Sequence, residues 1–235
     1  MRNFRPSFWL TAAWLPSLVF LIVLGTWQME RRAWKLDLIR DIDARMEQAA
    51  VPLPARIDDP AEWRFRKVSV TGTFLHAAEA HRISQPRHGT NGFQVLTPLL
   101  RDNGTAVIVD RGWVPKQLKD AGSRAAGQVE GPVTVTGIVR LKGEQTMFVP
   151  DNDPAANNWF WVDLAALEAR AGVPLQQVYL VQSESPVTWP DAAPPSFSLR
   201  NNHLEYAITW YSFAVIMTII YVLMGLARGR ERKAQ

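Results

Sequence analysis

FWLTAAWLPSLVFLIVLGTW, residues 8–27, carries no charged side chain, and neither does AITWYSFAVIMTIIYVLMGL, residues 207–226. Each run is about the length that a helix rising ~1.5 Å per residue needs to cross a ~30 Å hydrocarbon core. In lipid only helices and closed barrels satisfy their own backbone polar groups, and unbroken apolarity of this length is the helical solution. The two runs predict transmembrane helices near the two ends of the chain. They decide the fold class: a membrane protein whose N- and C-terminal helices flank one large domain. A cleaved signal peptide is the rival reading of the first run, since Arg2 and Arg5 precede it and Val23 with Gly25 loosely fit a cleavage pattern. The run exceeds the ~7–15 residues of a signal core, however, and Trp27 and Gln28 follow where a small residue belongs.

Charge orients the pair. Arg228, Arg230, Arg232 and Lys233 follow the second run against a single Glu231, and basic residues close to membrane helices stay in the cytoplasm. Arg31, Arg32 and Lys35 outnumber Arg2 and Arg5 around the first run, but long exported domains count little in this rule. The expected layout is a cytoplasmic tail 1–7, a helix 8–27, a periplasmic domain 28–206, a helix 207–226 and a cytoplasmic tail 227–235. Only seven residues precede the first helix, too few for a mitochondrial transit peptide, which points to a bacterial inner (cytoplasmic) membrane protein. The tails supply +5 of the formal +4 charge, so the basic balance is a topology signal and implies no nucleic acid partner. There is no cysteine, which excludes disulfides, thiolate copper sites and thiol redox chemistry.

Helical spacing continues past the first run through Trp27, Trp34, Leu38, Ile42 and Met46, predicting one stiff helix that ends before the prolines of VPLP at 51–54. From Trp63 the pattern becomes short β-rich runs: RKVSVTGTF, HRISQP, GFQVLTPLL, TAVIVDRGWV, PVTVTGIVRL and QVYLVQ. They predict an antiparallel sheet or small barrel, with Val133, Val135, Gly137 and Val139 on one face and Thr134 and Thr136 on the other. Asp102-Asn103-Gly104 marks a hairpin. A short helix from Asp163 to Ala171, capped by Asp163 and ended by Gly172, makes the domain α+β. A proline-rich connector, Pro186 to Pro195, leads to the second membrane helix.

No phosphate-binding glycine loop, cysteine nucleophile or histidine pair at metal-ligand spacing is present, so the chain reads as a non-enzyme. The acidic run Asp151-Asn152-Asp153-Pro154 lacks the glycine and terminal glutamate of a calcium loop and reads as a turn.

Four stretches carry a family likeness: GTWQMERRAWK at 25–35, VDRGWVP at 109–115, NWFWVD at 158–163 and NNHLEYAITWY at 201–211, with GFQVLTP at 92–98 as a weaker fifth. In order and spacing, between two terminal membrane helices, they resemble the surfeit locus protein 1 family. Asp110 departs from it, where asparagine is common. The resemblance implies an assembly factor for haem-copper cytochrome c oxidase that binds haem a transiently and aids its insertion. The partners it implies are the largest oxidase subunit, the lipid bilayer and, as a further candidate, haem a synthase. The alternative is a cofactor-free scaffold or chaperone that stabilises the nascent large subunit.

The residues themselves leave the site open between two readings. Asn202 and Glu205 read as a capping pair that puts His203 in the first turn of the second helix. His203, Tyr206, Trp210, Ala214, Met217 and Tyr221 recur at three- or four-residue spacing. A neutral imidazole above that stripe suits a haem iron ligand, but interfacial aromatics and a hydrogen-bonded histidine would look the same. Arg31, Arg32 and Lys35 leave the first helix at the same face, either to meet haem propionates or to snorkel beside Trp27 and Trp34. The candidate cofactor-binding residues are thus His203, Tyr206, Trp210, Arg31 and Trp27, with His203 on the iron. Arg111 divides similarly, with a buried aromatic corner and a cation–π partner preferred. His76, His81 and His88 read as surface residues.

Overall fold

The computed structural model describes residues 4–87, 89–143, 145–192 and 200–234. His88 and the last prolines of the connector, Pro194 and Pro195, lie outside the described residues. The chain divides into a helical unit, Met1–Asp41 with Ser198–Gln235, and a second unit, Ile42–Phe197.

The helical unit is built from α1 (Phe8–Glu47) and α3 (His203–Ala234). The membrane run and the stiff extension predicted after it are one continuous helix, with Pro16 inside it. Both helices are long and apolar enough to span a bilayer. They run antiparallel. Trp14 stacks on Tyr221 with ring centroids 4.2 Å apart, Thr11 and Tyr221 share a hydroxyl hydrogen bond of 3.0 Å, and Thr26 meets the Tyr211 hydroxyl at 3.2 Å.

Lipid tails are as apolar as leucine, so membrane helices associate through close packing at small residues and through hydrogen bonds. On α3 the buried positions among the described residues are Ala207, Ala214, Tyr221, Gly225 and Gly229, spaced by seven and then four residues. On α1, a Cβ placed at Gly25 would come within 2.6 Å of the Tyr211 ring, so the glycine lets that ring lie directly against α1. Met217 and Trp210 fill half-buried places beside this stripe. Tyr206 stands off it, 55% exposed, because its direction lies about 60° of helix rotation from that of His203, whereas Ala207 turns back toward the partner helix.

The second unit is a barrel. Strands β1 (Val51–Pro52), β2 (Lys67–Phe74), β3 (Ala80–Arg87), β4 (Thr90–Leu100), β5 (Ala106–Pro115), β6 (Pro132–Leu141) and β7 (Leu175–Gln182) form one sheet in the order β1-β2-β6-β7-β5-β4-β3. A further pairing, Phe74 with Leu99 and Thr73 with Leu100, joins β2 to β4 and closes β2-β6-β7-β5-β4 into a ring. The six predicted runs are β2 to β7. The antiparallel expectation needs one correction: β5 and β7 pair in parallel, Ile108 opposite Tyr179, and the short β1 lies parallel to β2. The β5–β7 connection is a long crossover through β6 and α2 (Leu164–Ala171), which is what parallel neighbours require.

Alternation along the strands fills the two sides. Val68, Val70, Leu99, Val107, Val109, Val135, Val139, Val178 and Leu180 form the barrel interior. Ala80, Leu96, Ile108, Trp159, Leu167 and Tyr179 form an outer layer together with α2. β5 serves both layers, which explains why nearly every one of its residues is buried. Asp163 caps α2 by accepting from the N–H groups of Ala165 and Ala166 at 3.1 and 3.2 Å, and Gly172 ends it at φ 69°. The hairpin at Asp102-Asn103-Gly104 forms as predicted, and Asp153 builds a turn by accepting from Ala156 N–H at 3.0 Å.

Candidate functional site

His203 is the first residue of α3, and its place follows from what precedes it. Asn202 accepts the backbone N–H of Tyr206 at 3.3 Å through its carbonyl, while its side-chain oxygen takes the Arg200 Nε at 3.1 Å. The expected capping pair of Asn202 with Glu205 is thus replaced by a bond to the incoming chain. Lys35 holds the same turn from α1, donating to the Arg200 carbonyl at 2.5 Å.

The imidazole is half-buried and bonded across the helix pair: its Nδ1 lies 2.7 Å from the side-chain oxygen of Gln28 on α1. An amide oxygen only accepts, so Nδ1 is the donor in this pairing, and in the neutral imidazole that leaves the lone pair on Nε2. Among the described residues nothing hydrogen-bonds Nε2. Near this end of α3 two polar atoms are buried without a partner, Asn201 Oδ1 just before the helix and Trp210 Nε1 two turns into it. A buried indole N–H without an acceptor is costly unless a ligand supplies one.

Of the five residues predicted for the site, His203 and Trp210 lie on the side of α3 that faces α1. Tyr206 and Trp27 are 55% and 49% exposed. Arg31 lies over the Trp34 ring at 4.4 Å, along its own helix. Gln28 escaped the sequence reading, although it sits inside the GTWQ motif three residues after the close-packed Gly25. A polar residue in register with a helix-contact glycine was the available signal.

The barrel unit carries a second polar cluster. Glu79, 5% exposed, accepts from Arg124, from His81 Nε2 at 2.7 Å and lies beneath Asn157, whose amide donates to His81 Nδ1 at 3.1 Å. Burial alone raises the Glu79 pKa, but the hydrogen bonds from His81 and Arg124 outweigh it and hold the carboxyl below the usual range. Every polar group here is matched, so the cluster fastens the 116–129 segment to β3. His81 is therefore not a surface residue but 8% exposed, because the segment ending in Trp159 pairs with Arg82 and covers the start of β3. His76 is half-buried, donating from Nε2 to the Val129 carbonyl at 2.9 Å.

Arg111 takes the aromatic-corner reading: it is 3% exposed, lies 4.5 Å over Phe74 and donates to the Gly127 carbonyl. Burial brings its pKa down to about 10. Its neighbour Gly112 has φ 117°, and a Cβ there would strike the Asp191 carbonyl at 2.2 Å. Among the described residues no three His, Asp or Glu side chains gather as a metal site.

The profile described as the SURF1 family matches residues 16–215. The chain is 37% identical over 222 residues to the SURF1-like protein of Monosiga brevicollis, covering 88% of this chain and 84% of that one. It is similar to surfeit locus protein 1 of Homo sapiens, 35% identical over 220 residues, covering 84% and 71% of the two chains. The protein of that name in Xenopus tropicalis is 35% identical over 217 residues, covering 84% and 70%.

Proposed function

The chain belongs to the SURF1 family, and from that premise we propose that it is an assembly factor for haem-copper cytochrome c oxidase. It binds haem a transiently and passes it to the largest oxidase subunit. Haem a is cargo here, and the protein is not an enzyme. The barrel unit lies in the periplasm of a bacterial inner membrane and both termini lie in the cytoplasm. The nascent large subunit is the partner, with haem a synthase as a second.

One observation carries the reading: the His203 imidazole at the start of α3 is held through Nδ1 by the Gln28 oxygen at 2.7 Å, which leaves Nε2 as the nitrogen that the neutral ring would offer a metal. A neutral imidazole of this kind is a common haem ligand. The unpartnered Trp210 N–H two turns into α3 fits a macrocycle with acceptor substituents. A site at this depth lets the isoprenoid tail of haem a stay in lipid.

The test is co-expression with haem a synthesis, purification in detergent and a visible spectrum. Haem a absorption is expected to co-purify and to be lost in His203→Ala, while that variant remains folded and membrane-inserted. A colourless wild-type protein, or a His203→Ala spectrum and titration identical to wild type, would overturn haem carriage by this residue and favour the cofactor-free scaffold.

A further inference from the structure

We infer that Gln28 is the positioning residue for His203: it sets the tautomer and the ring plane of the imidazole, so that Nε2 is the nitrogen offered to a metal-bearing ligand. The inference rests on the haem reading above, but its geometry stands independently of any ligand. His203 rotates about two side-chain bonds at the first residue of a helix, where its own helix offers little to hold it. The constraint comes from the other helix, 175 residues away in sequence, through the 2.7 Å bond from Nδ1–H to the Gln28 oxygen.

Three features make Gln28 a fixed anchor. Gly25, one turn earlier on α1, packs so closely on Tyr211 that an added Cβ would lie 2.6 Å from the ring. Thr26 adds its hydroxyl contact to Tyr211 at 3.2 Å, and Lys35 ties the far side by its bond to the Arg200 carbonyl. These contacts tie α1 to α3 on both sides of Gln28. A neutral amide also suits the task, because it accepts from Nδ1 without adding charge at the lipid boundary. Where histidine binds a metal, its second nitrogen commonly donates to such an acceptor, and removing the acceptor typically weakens metal affinity ~10–100-fold.

The test begins without any haem. The full chain, labelled with 15N-histidine and held in detergent micelles, is compared with Gln28→Leu and Gln28→Glu by NMR. The His203 signals are assigned by their loss in His203→Ala. Wild type is expected to carry the proton on Nδ1 alone, and Gln28→Leu to relax to a mixture of tautomers. Titration with ferric protohaem should then show binding weakened about 10–100-fold in Gln28→Leu. Binding should persist in Gln28→Glu, with an upward shift of the ferrous iron–histidine stretching frequency in resonance Raman. That shift reports a stronger acceptor on Nδ1, which a merely space-filling Gln28 would not produce. An unchanged tautomer in Gln28→Leu overturns the inference. Tautomer control by Gln28 in a wild-type protein that binds no haem would uphold the pairing and overturn the haem reading instead.

Discussion

Arg124 spans both carboxylate oxygens of Glu79 inside the barrel unit, with side chains only 1% and 5% exposed. Arg124 also donates to the Leu118 carbonyl at 3.0 Å, so a single guanidinium closes the 116–129 segment over the start of β3. Removing one partner of a buried pair leaves the other charge uncompensated, at a cost of about 3–5 kcal/mol. Arg124→Ala is expected to lower stability by that order, read by urea unfolding of the purified chain. A loss under ~1 kcal/mol would mean that the pair is solvated in solution.

The same pair predicts a pH dependence. Glu79 is held below its unfolded pKa, so its contribution is complete above the unfolded value and is lost as pH falls through the folded one. Acid titration of stability should therefore show a step below the ordinary glutamate range that is missing in Glu79→Gln. Retention of the step in that variant would assign it elsewhere.

Asp110 presents the opposite sign. It is 3% exposed and burial raises its pKa, although Arg82 at 3.1 Å and the Gly112 N–H at 3.2 Å partly offset the cost. Asparagine keeps an acceptor for Gly112 without a buried charge. Asp110→Asn is expected to be neutral or stabilising within about 1 kcal/mol near pH 7. Because the folded pKa is raised, wild type should gain on the variant as pH falls. Thermal unfolding of both proteins at two pH values decides it, and a large destabilisation at neutral pH would show that the Arg82 pair needs the full charge.

Gly25 and Tyr221 test the helix pair. Gly25→Leu should displace the Tyr211 ring from α1, break its hydroxyl contact with Thr26 and lower the thermal stability of the membrane-inserted protein. Tyr221→Phe keeps the stack on Trp14 and loses only the Thr11 hydrogen bond, worth about 0.6 kcal/mol between membrane helices. Equal effects of the two changes would contradict close packing at Gly25.

Orientation is tested by fusions. Alkaline phosphatase joined at Gly131 should be active, and joined after Gln235 inactive, given six basic residues against one acidic in the tails. The reverse pattern would place the barrel unit on the cytoplasmic side.

Local pattern made much of this legible. Uncharged runs revealed the spans, two-residue alternation revealed six strands, and Asp163 with Gly172 bracketed α2, because each signal is written within one element. His203 at the head of α3 was legible for the same reason. The burial of His81 was not, since HRISQP reads as a half-exposed strand until the segment through Trp159 lies over it.

By itself, then, the sequence determined two membrane helices, a β-rich α+β domain between them and the chemistry available at His203. Only the tertiary structure decided that the sheet closes through Phe74 and Leu99, that β5 and β7 run parallel, and that Gln28 meets His203. Periodicity records which face of an element is buried, because water and lipid act on each residue where it stands. Which distant element covers that face is settled by the joint packing of all of them, and no single stretch of chain contains that information.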